Sequence, residues 1–455
     1  MKSSHLLVST NNDVVAVNKE ATNGDTLAAI SHSLKKFQID PLTGFYGQDC
    51  LNHLTAEIVN HNQTSPVVAT LALLQLENFY EIRSWLGKSE ASLLLGDIGR
   101  VLSKRLPKSI ILCRCAHYEF AAILINSSID QTHAVADQVR RIVETTAKNS
   151  LPEKITLKLG IGVANMTGAN LNRDVIYARA RHNMSLSYYL DRTQVKPGRP
   201  LSTKAVIAKV YDYLTSGKLL TSFQAVVSLK DEKAELYELR LGLHQSLNQL
   251  STEQMFEVIV QNAWGEAIDR WLIKKATKIL QTASGNVKLS LSITHNSMVS
   301  DKFFAWLDSY IVKHPILANR LIIQVSEIDV LTAQHHMGAL CDTLNQLDIA
   351  LCINHFGCTD DPFRYLSLLR AEMVKLDTAI LQRCQRGNQD SYTLPLLVEK
   401  LHANGLRVIT GKVDSMTRLP FLWRSNVNYV QGYSFHRPSH NLDFDFISPT
   451  TMPLQ

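Results

Sequence analysis

The sequence is poor in cysteine, in long apolar runs and in concentrated charge, and each shortage excludes a class of protein. Its 455 residues hold seven cysteines, an odd number without Cys-x-x-Cys spacing, which argues against a disulfide framework and suits a reducing compartment. No run of about 18 apolar residues occurs, so no transmembrane helix is expected. The opening "MKSSHLLVSTNNDVVAVNKEATNGD" lacks the apolar core and small-residue cleavage site of a secretory signal, and the expected location is the cytoplasm. Basic residues exceed acidic ones only mildly, for a formal net charge of +6. The densest basic runs are pairs: Lys35–Lys36, Arg140–Arg141 and Lys274–Lys275. Read along the chain, no basic stripe is interleaved with aromatics, and nucleic acid is not an expected partner.

What is present is a globular composition, 45% hydrophobic and 19% charged, on a chain long enough for two or three domains. Residues 1–35 read as a flexible lead-in that includes the start of a first helix, "TLAAISHSLKKFQ". The turn signal "DPLTGF" follows. Residues 36–191 then alternate strand and helix. "VVATLALLQLENF" reads as a strand, "EASLLLGDIGRVLSKRL" as an amphipathic helix and "SIILCRCAHYEFAAILI" as a hairpin. A further helix, "THAVADQVRRIVETTAK", and a strand, "ITLKLGIGVANM", complete the segment. The stretch "RTQVKPGRPLS" marks a linker over 192–208. From 209 to 445 come the strands "FQAVVSL", "VKLSLSI", "RLIIQVSE", "IALCINHF", "MVKLD", "LRVITGKV" and "NYVQGYSF". Helical stretches separate several of them, which predicts an α/β barrel of the TIM type. Residues 446–455 form a tail.

Seven short motifs in order resemble a known pair of domains. "DPLTGF" and "AHYEF" resemble a GGDEF domain, the diguanylate cyclase fold. "FQAVVSL", "YELRLGL", "HFG", "VKLD" and "VQGYSF" resemble an EAL domain, the cyclic-di-GMP phosphodiesterase barrel. The resemblance implies a nucleotidyl cyclase-like α/β sandwich followed by a modified TIM-type β/α barrel.

Both sets of catalytic positions depart from the pattern that the resemblance implies. In the cyclase half, Gln75 stands for the first metal acid, with Glu77 two residues on. Ala116 and His117 replace the signature glycines, and Tyr118 replaces its metal acid, while Glu119 and Phe120 are present. Side chains at 116 and 117 obstruct the close phosphate approach that glycine permits. A phenol does not replace a hard-cation carboxylate at neutral pH. His117 has no partner at ligand spacing and reads as a polar turn residue.

In the barrel half, a two-metal hydrolysis needs several carboxylates at the strand ends. Glu238 falls on the motif glutamate. Ser292 stands for an asparagine, Gln324 for a metal glutamate, Asn354 and His355 for paired aspartates, and Gly411 for another glutamate. Lys375 and Gln431 match the pattern, and Glu327 and Asp377 stand nearby. Asp360 and Asp361, beside Pro362, read as turn and cap residues. No catalytic residue, resident metal or cofactor is expected. Cyclic-di-GMP binding stays open: Gly242 occupies the position of the usual phosphate-binding arginine, and Arg240, on the same strand face, is a candidate replacement. Gln224, Glu238, Arg240, Lys375 and Gln431 are the candidate pocket residues.

"HFGCTDDPFRYLSLLRAEMVKLD" and the acidic–aromatic end of "FLWRSNVNYVQGYSFHRPSHNLDFDF" resemble the FimX type of inactive tandem more than the CsrD type. The FimX resemblance implies an adaptor for type IV pilus assembly and twitching motility. It would contact a PilZ-type protein and the pilus assembly ATPase, with recruitment to the cell pole or the inner-membrane pilus machinery. A CsrD-like adaptor of small regulatory RNA turnover, and a weak phosphodiesterase with an altered metal site, are the alternatives.

Overall fold

A computed structural model of the chain describes residues 33–446 apart from 62–67, 77, 116–117, 153–154, 168–171, 194–202, 218, 231–233, 243–251, 360, 367–368, 378–379 and 382–392. Most of the lead-in, its helix start and nearly all of the tail therefore lie outside the described residues. The chain divides into two compact units near residue 195.

The first unit is a four-stranded antiparallel sheet in the order β2–β3–β1–β4. Its strands are β1 (Ala69–Leu76), β2 (Ile110–Arg114), β3 (Glu119–Ile125) and β4 (Leu159–Asn165). The consecutive apolar residues 71–74 of β1 reflect burial on both faces. Leu71 and Leu73 pack with Leu51, Leu54 and Ile176 of helices α1 (Gln48–His61) and α5 (Arg173–Thr193). Leu74 and Leu76 pack with Leu94, Ile98 and Val139 of α3 (Lys88–Arg105) and α4 (Ile129–Ser150). A capping box starts α4: Ser128 accepts from Gln131 N, and the Gln131 side chain accepts from Ser128 N. Gly162 lets β4 meet α5, because a Cβ there would lie 1.9 Å from the Ala180 carbonyl oxygen. Helix α2 (Phe79–Leu86) was not anticipated; its eight residues follow the β1 strand too closely for a periodic signal to separate them.

The second unit opens with α6 (Thr203–Thr215), so a helix begins inside the expected linker. A closed barrel follows in the order β10–β11–β12–β5–β6–β7–β8–β9. Its strands are β5 (Thr221–Ser228), β6 (Glu235–Leu241), β7 (Val287–Ser292), β8 (Leu321–Ser326), β9 (Ala350–Phe356), β10 (Met373–Leu376), β11 (Arg407–Thr410) and β12 (Tyr429–Val430). β5 runs antiparallel to both β6 and β12, and the other pairs are parallel. The expected tandem of an α/β sandwich and a modified TIM-type barrel is thus present.

The period of two along each strand layers the barrel interior. Val226, Leu236, Ile322, Cys352, Met373, Ile409 and Tyr429 form one apolar layer. Two residues further toward the carboxyl ends of the parallel strands, each apolar residue gives way to Glu238, Gln324, Asn354, Lys375, Gly411 or Gln431. On antiparallel β5 the same step runs backward, from Val226 to Gln224. The barrel interior therefore passes from this apolar layer to a polar one at the carboxyl ends of its parallel strands.

Candidate functional site

The polar end of the barrel is organised around Glu238, which is 4% exposed. Its Oε2 accepts from Arg240 at 2.6 Å, Gln431 Nε2 at 2.7 Å and Lys375 Nζ at 2.8 Å. Burial alone would raise this carboxyl, but Arg240 and Lys375 outweigh it and hold Glu238 well below the usual carboxylate range. Burial lowers the Lys375 ammonium below its ordinary value, and Glu238 opposes that shift. Gly411 lies beside the Lys375 stem, and a Cβ there would sit 3.2 Å from Lys375 Cε, a tight contact.

The remaining candidates are spread around the same mouth in smaller bonds. Gln224 lies opposite Glu238 in the β5–β6 register, yet its amide donates to the His436 carbonyl at 3.0 Å. Ser292 Oγ donates to Gln324 Oε1 at 3.2 Å. Asn354 Oδ1 accepts from the His355 N–H at 2.9 Å. His355 turns out of β9 with φ +58° and places Nδ1 3.3 Å from Asp377 Oδ2. Lys412, just after Gly411, also has a positive φ of 56°, so two of the strand ends at the mouth carry strained non-glycine backbone. Of the five candidate pocket residues, Glu238, Arg240, Lys375 and Gln431 form one cluster, and Gln224 bonds elsewhere.

Sequence reasoning gave little weight to Glu327 and none to His436. Glu327, fully buried, accepts from the Gly357 N–H at 2.7 Å and so fixes the turn after β9. His436 Nδ1 accepts from the Ala225 N–H, and its Nε2 meets Asp443. Phe444, near the end of the barrel segment, donates its N–H to the Tyr237 hydroxyl, tying the acidic–aromatic end to the outside of β6. Only the "DFDF" composition of that segment could have signalled this.

The residues at the mouth do not fit the two-metal centre that the family resemblance implies. Paired dications need several anionic oxygens. Here the corresponding positions offer a hydroxyl, two amides, an imidazole and no side chain, and the one carboxylate already faces two cations. The arrangement suits neutral hydrogen bonding and anion recognition through Arg240, whose side chain is 40% exposed.

In the first unit, Gln75 pairs in register with Glu119 and Gly160. The Tyr118 ring packs on Phe79 at 4.7 Å, and its hydroxyl accepts from Arg83 at 3.1 Å. Glu119 lies 3.6 Å from Arg181. Glu77, Ala116 and His117 lie outside the described residues.

Family models match both units: "EAL domain" over residues 207–438 and "Diguanylate cyclase, GGDEF domain" over residues 37–187. The chain belongs to the EAL-domain family and carries a GGDEF domain ahead of its barrel. The solved structure of a FimX EAL domain is 27% identical with a TM-score of 0.50, covering 55% of this chain and 100% of that one. Cyclic di-GMP phosphodiesterase NbdA of Pseudomonas aeruginosa is 21% identical over 88% of this chain and 52% of its own length. RNase E specificity factor CsrD of Escherichia coli is 20% identical over 89% of this chain and 63% of its own. The chain thus spans about half to three-fifths of the length of these curated relatives. Among the described residues no helix is long and apolar enough to cross a membrane.

Proposed function

We propose that this chain is a non-catalytic regulatory adaptor of cyclic-di-GMP-linked signalling, acting through protein–protein contacts in type IV pilus assembly and twitching motility. The observation that carries the non-catalytic reading is the cluster of Glu238 with Arg240, Lys375 and Gln431. A dication at Glu238 would have to displace two cations and would then find amides and a hydroxyl as further ligands. In the cyclase half, the Tyr118 hydroxyl is engaged by Arg83 where a metal acid is needed. The likeness to the FimX EAL domain and the Phe-Gly-Cys and Pro-Phe after β9 support the pilus branch. On that reading the partners are a PilZ-type protein and the pilus assembly ATPase, and the protein works in the cytoplasm at the cell pole or beside the inner-membrane machinery.

The test is a turnover assay with cyclic-di-GMP and with GTP in added Mg²⁺ or Mn²⁺, run beside a calorimetric titration with cyclic-di-GMP. No turnover is expected, and measurable hydrolysis or synthesis overturns the reading. Submicromolar binding makes the adaptor a receptor, and no binding makes it a constitutive scaffold. An affinity pull-down that recovers ribonuclease components and no pilus proteins replaces the pilus branch with the CsrD-like one.

A further inference from the structure

Two outer helices of the barrel unit, which follow α7 (Thr252–Gln261) and are separated along the chain by α9 (His295–Met298), combine into a surface that neither shows alone. Along α8 (Gly265–Thr282), Arg270, Lys274 and Lys278 recur four residues apart and share one face. Along α10 (Asp301–Val312) and just beyond it, Trp306, Tyr310 and His314 recur with the same spacing. The rings stack in a column. Trp306 and Tyr310 lie 5.0 Å apart at 22°, and Tyr310 and His314 lie 4.1 Å apart at 23°. The two helices are held in register by the Tyr310 hydroxyl donating to Thr277 Oγ1 at 3.1 Å. Above that bond, Arg270 lies 4.9 Å and Lys274 5.9 Å from the Trp306 ring centroid. The result is a column of cations beside a column of rings, running for about 12 Å at the helical rise.

The charges on this face are unevenly committed. Arg270 is bonded to Glu266 and to the Lys302 carbonyl. Lys274 and Lys278 are exposed, and no ion pair joins them to any described residue. Lys302 and Lys313 add exposed positive charge at the two ends of α10. Asp308 lies two residues from both Trp306 and Tyr310, about 200° around the helix and so on its opposite side. Asp301 sits at the first turn of α10. The rings are half-buried and stacked on one another, so they form a rigid wall, not side chains poised to insert into a bilayer.

We propose that the α8–α10 face binds single-stranded nucleic acid without sequence preference, phosphates following Lys274 and Lys278 and unpaired bases meeting the outward ring edges of the Trp306–Tyr310–His314 column, whose faces are stacked on one another. Cations that track a backbone beside aromatic side chains are the recurring solution for such ligands. Duplex is disfavoured because its base edges are already paired and turned inward, away from the ring column. The site lies outside the barrel mouth, and its ligand is separate from any ligand of Glu238 and Arg240.

The full chain is titrated into a fluorescein-labelled U oligomer and a T oligomer of about 20 nucleotides, read by anisotropy. With Lys274, Lys278 and Lys302 neutralising about three phosphates, affinity should fall roughly 20-fold between about 50 and 200 mM salt. Lys274→Glu with Lys278→Glu should weaken binding at least about tenfold and flatten that salt slope, with an unchanged melting temperature because both side chains are exposed. His314→Ala, at the end of the ring column, should weaken binding about fivefold while leaving the salt slope unchanged. Binding of one oligomer only supports the proposal and identifies the natural strand. The proposal is overturned by any of three results: no binding at about 50 µM protein in low salt, binding indifferent to the double charge reversal, or tighter binding to duplex or to phosphatidylserine vesicles than to either oligomer.

Discussion

Glu238→Gln removes the carboxylate at the centre of the Arg240–Lys375–Gln431 cluster and leaves its partners in place. Lys375, with only 12% of its side chain exposed, then has no counter-ion, and the Gln431 amide loses the charged acceptor it now reaches at 2.7 Å. Breaking a buried ion pair by removing one member costs about 3–5 kcal/mol. The low end applies, about 3 kcal/mol, because Arg240 is 40% exposed and can turn to water, and because Lys375, its pKa already lowered, can shed its proton. For a unit of this size that is a fall of roughly 6–12 °C in the barrel's melting transition. The second substitution separates charge from packing. Glu238→Gln with Lys375→Met replaces the pair by neutral groups of similar volume and should recover at least half of the loss, as replaced buried pairs commonly do. Scanning calorimetry of the parent, both single variants and the double variant measures the cycle. The pH dependence has a fixed sign. Because the folded Glu238 carboxyl lies below its ordinary value of 4.5, its contribution is fully present above that value. It is lost only as pH falls through the folded pKa. The gap between parent and Glu238→Gln should therefore hold at neutral pH and narrow in strong acid. If Glu238→Gln melts within about 1 °C of the parent, or the double variant is worse than either single one, the self-neutralised cluster is refuted.

Further outcomes follow from other buried groups. Asp269 is fully buried, and burial raises its carboxyl to about 6 against the bonds from Ser297 and Thr294. A raised folded pKa means stability present below the ordinary value of 3.8 and lost as pH climbs through about 6, by roughly 3 kcal/mol. Asp269→Asn keeps the acceptor oxygen and should flatten that part of the stability–pH profile, measured by urea unfolding; an unchanged slope would falsify the assignment. Gly162→Ala drives a Cβ into the Ala180 carbonyl and the Met184 N–H. It should lower one calorimetric transition by several degrees, marking it as that of the sandwich, and leave the barrel transition where it was. Gly411→Glu alone should yield no cyclic-di-GMP hydrolysis with Mn²⁺, since the other metal positions still hold Ser292, Gln324, Asn354 and His355; turnover by this single variant would contradict the donor-set argument.

Local pattern carried a good deal of this structure. The alternation in "IALCINHF" and "RLIIQVSE", and the turn chemistry between strands, were enough for both domains and for seven of the eight barrel strands; β6 was marked only by its motif "YELRLGL". They failed at α2, whose eight residues abut a strand, and at α6, which begins where the composition suggested only a linker. For the site, the identities of Glu238, Gln324, Asn354, His355 and Gly411 and their order were legible from motif positions. Their bonding was not. Nothing in the spacing of residues 238, 375 and 431 states that one carboxylate oxygen would serve three donors, or that Gln224, opposite Glu238, would bond to His436 instead.

The sequence by itself determined the two domains, their order, and which side chains face the barrel mouth, because strand period and turn residues are local properties. Tertiary structure alone decided that Glu238 is neutralised from within, since Lys375 reaches it across the barrel from β10. It alone also placed Lys274 beside Trp306 and joined the helix of Lys274 and Lys278 to that of Tyr310 through Thr277. Along the chain those cations and rings lie about 30 residues apart and show no common stripe; only the packing of one outer helix against another makes them a single surface.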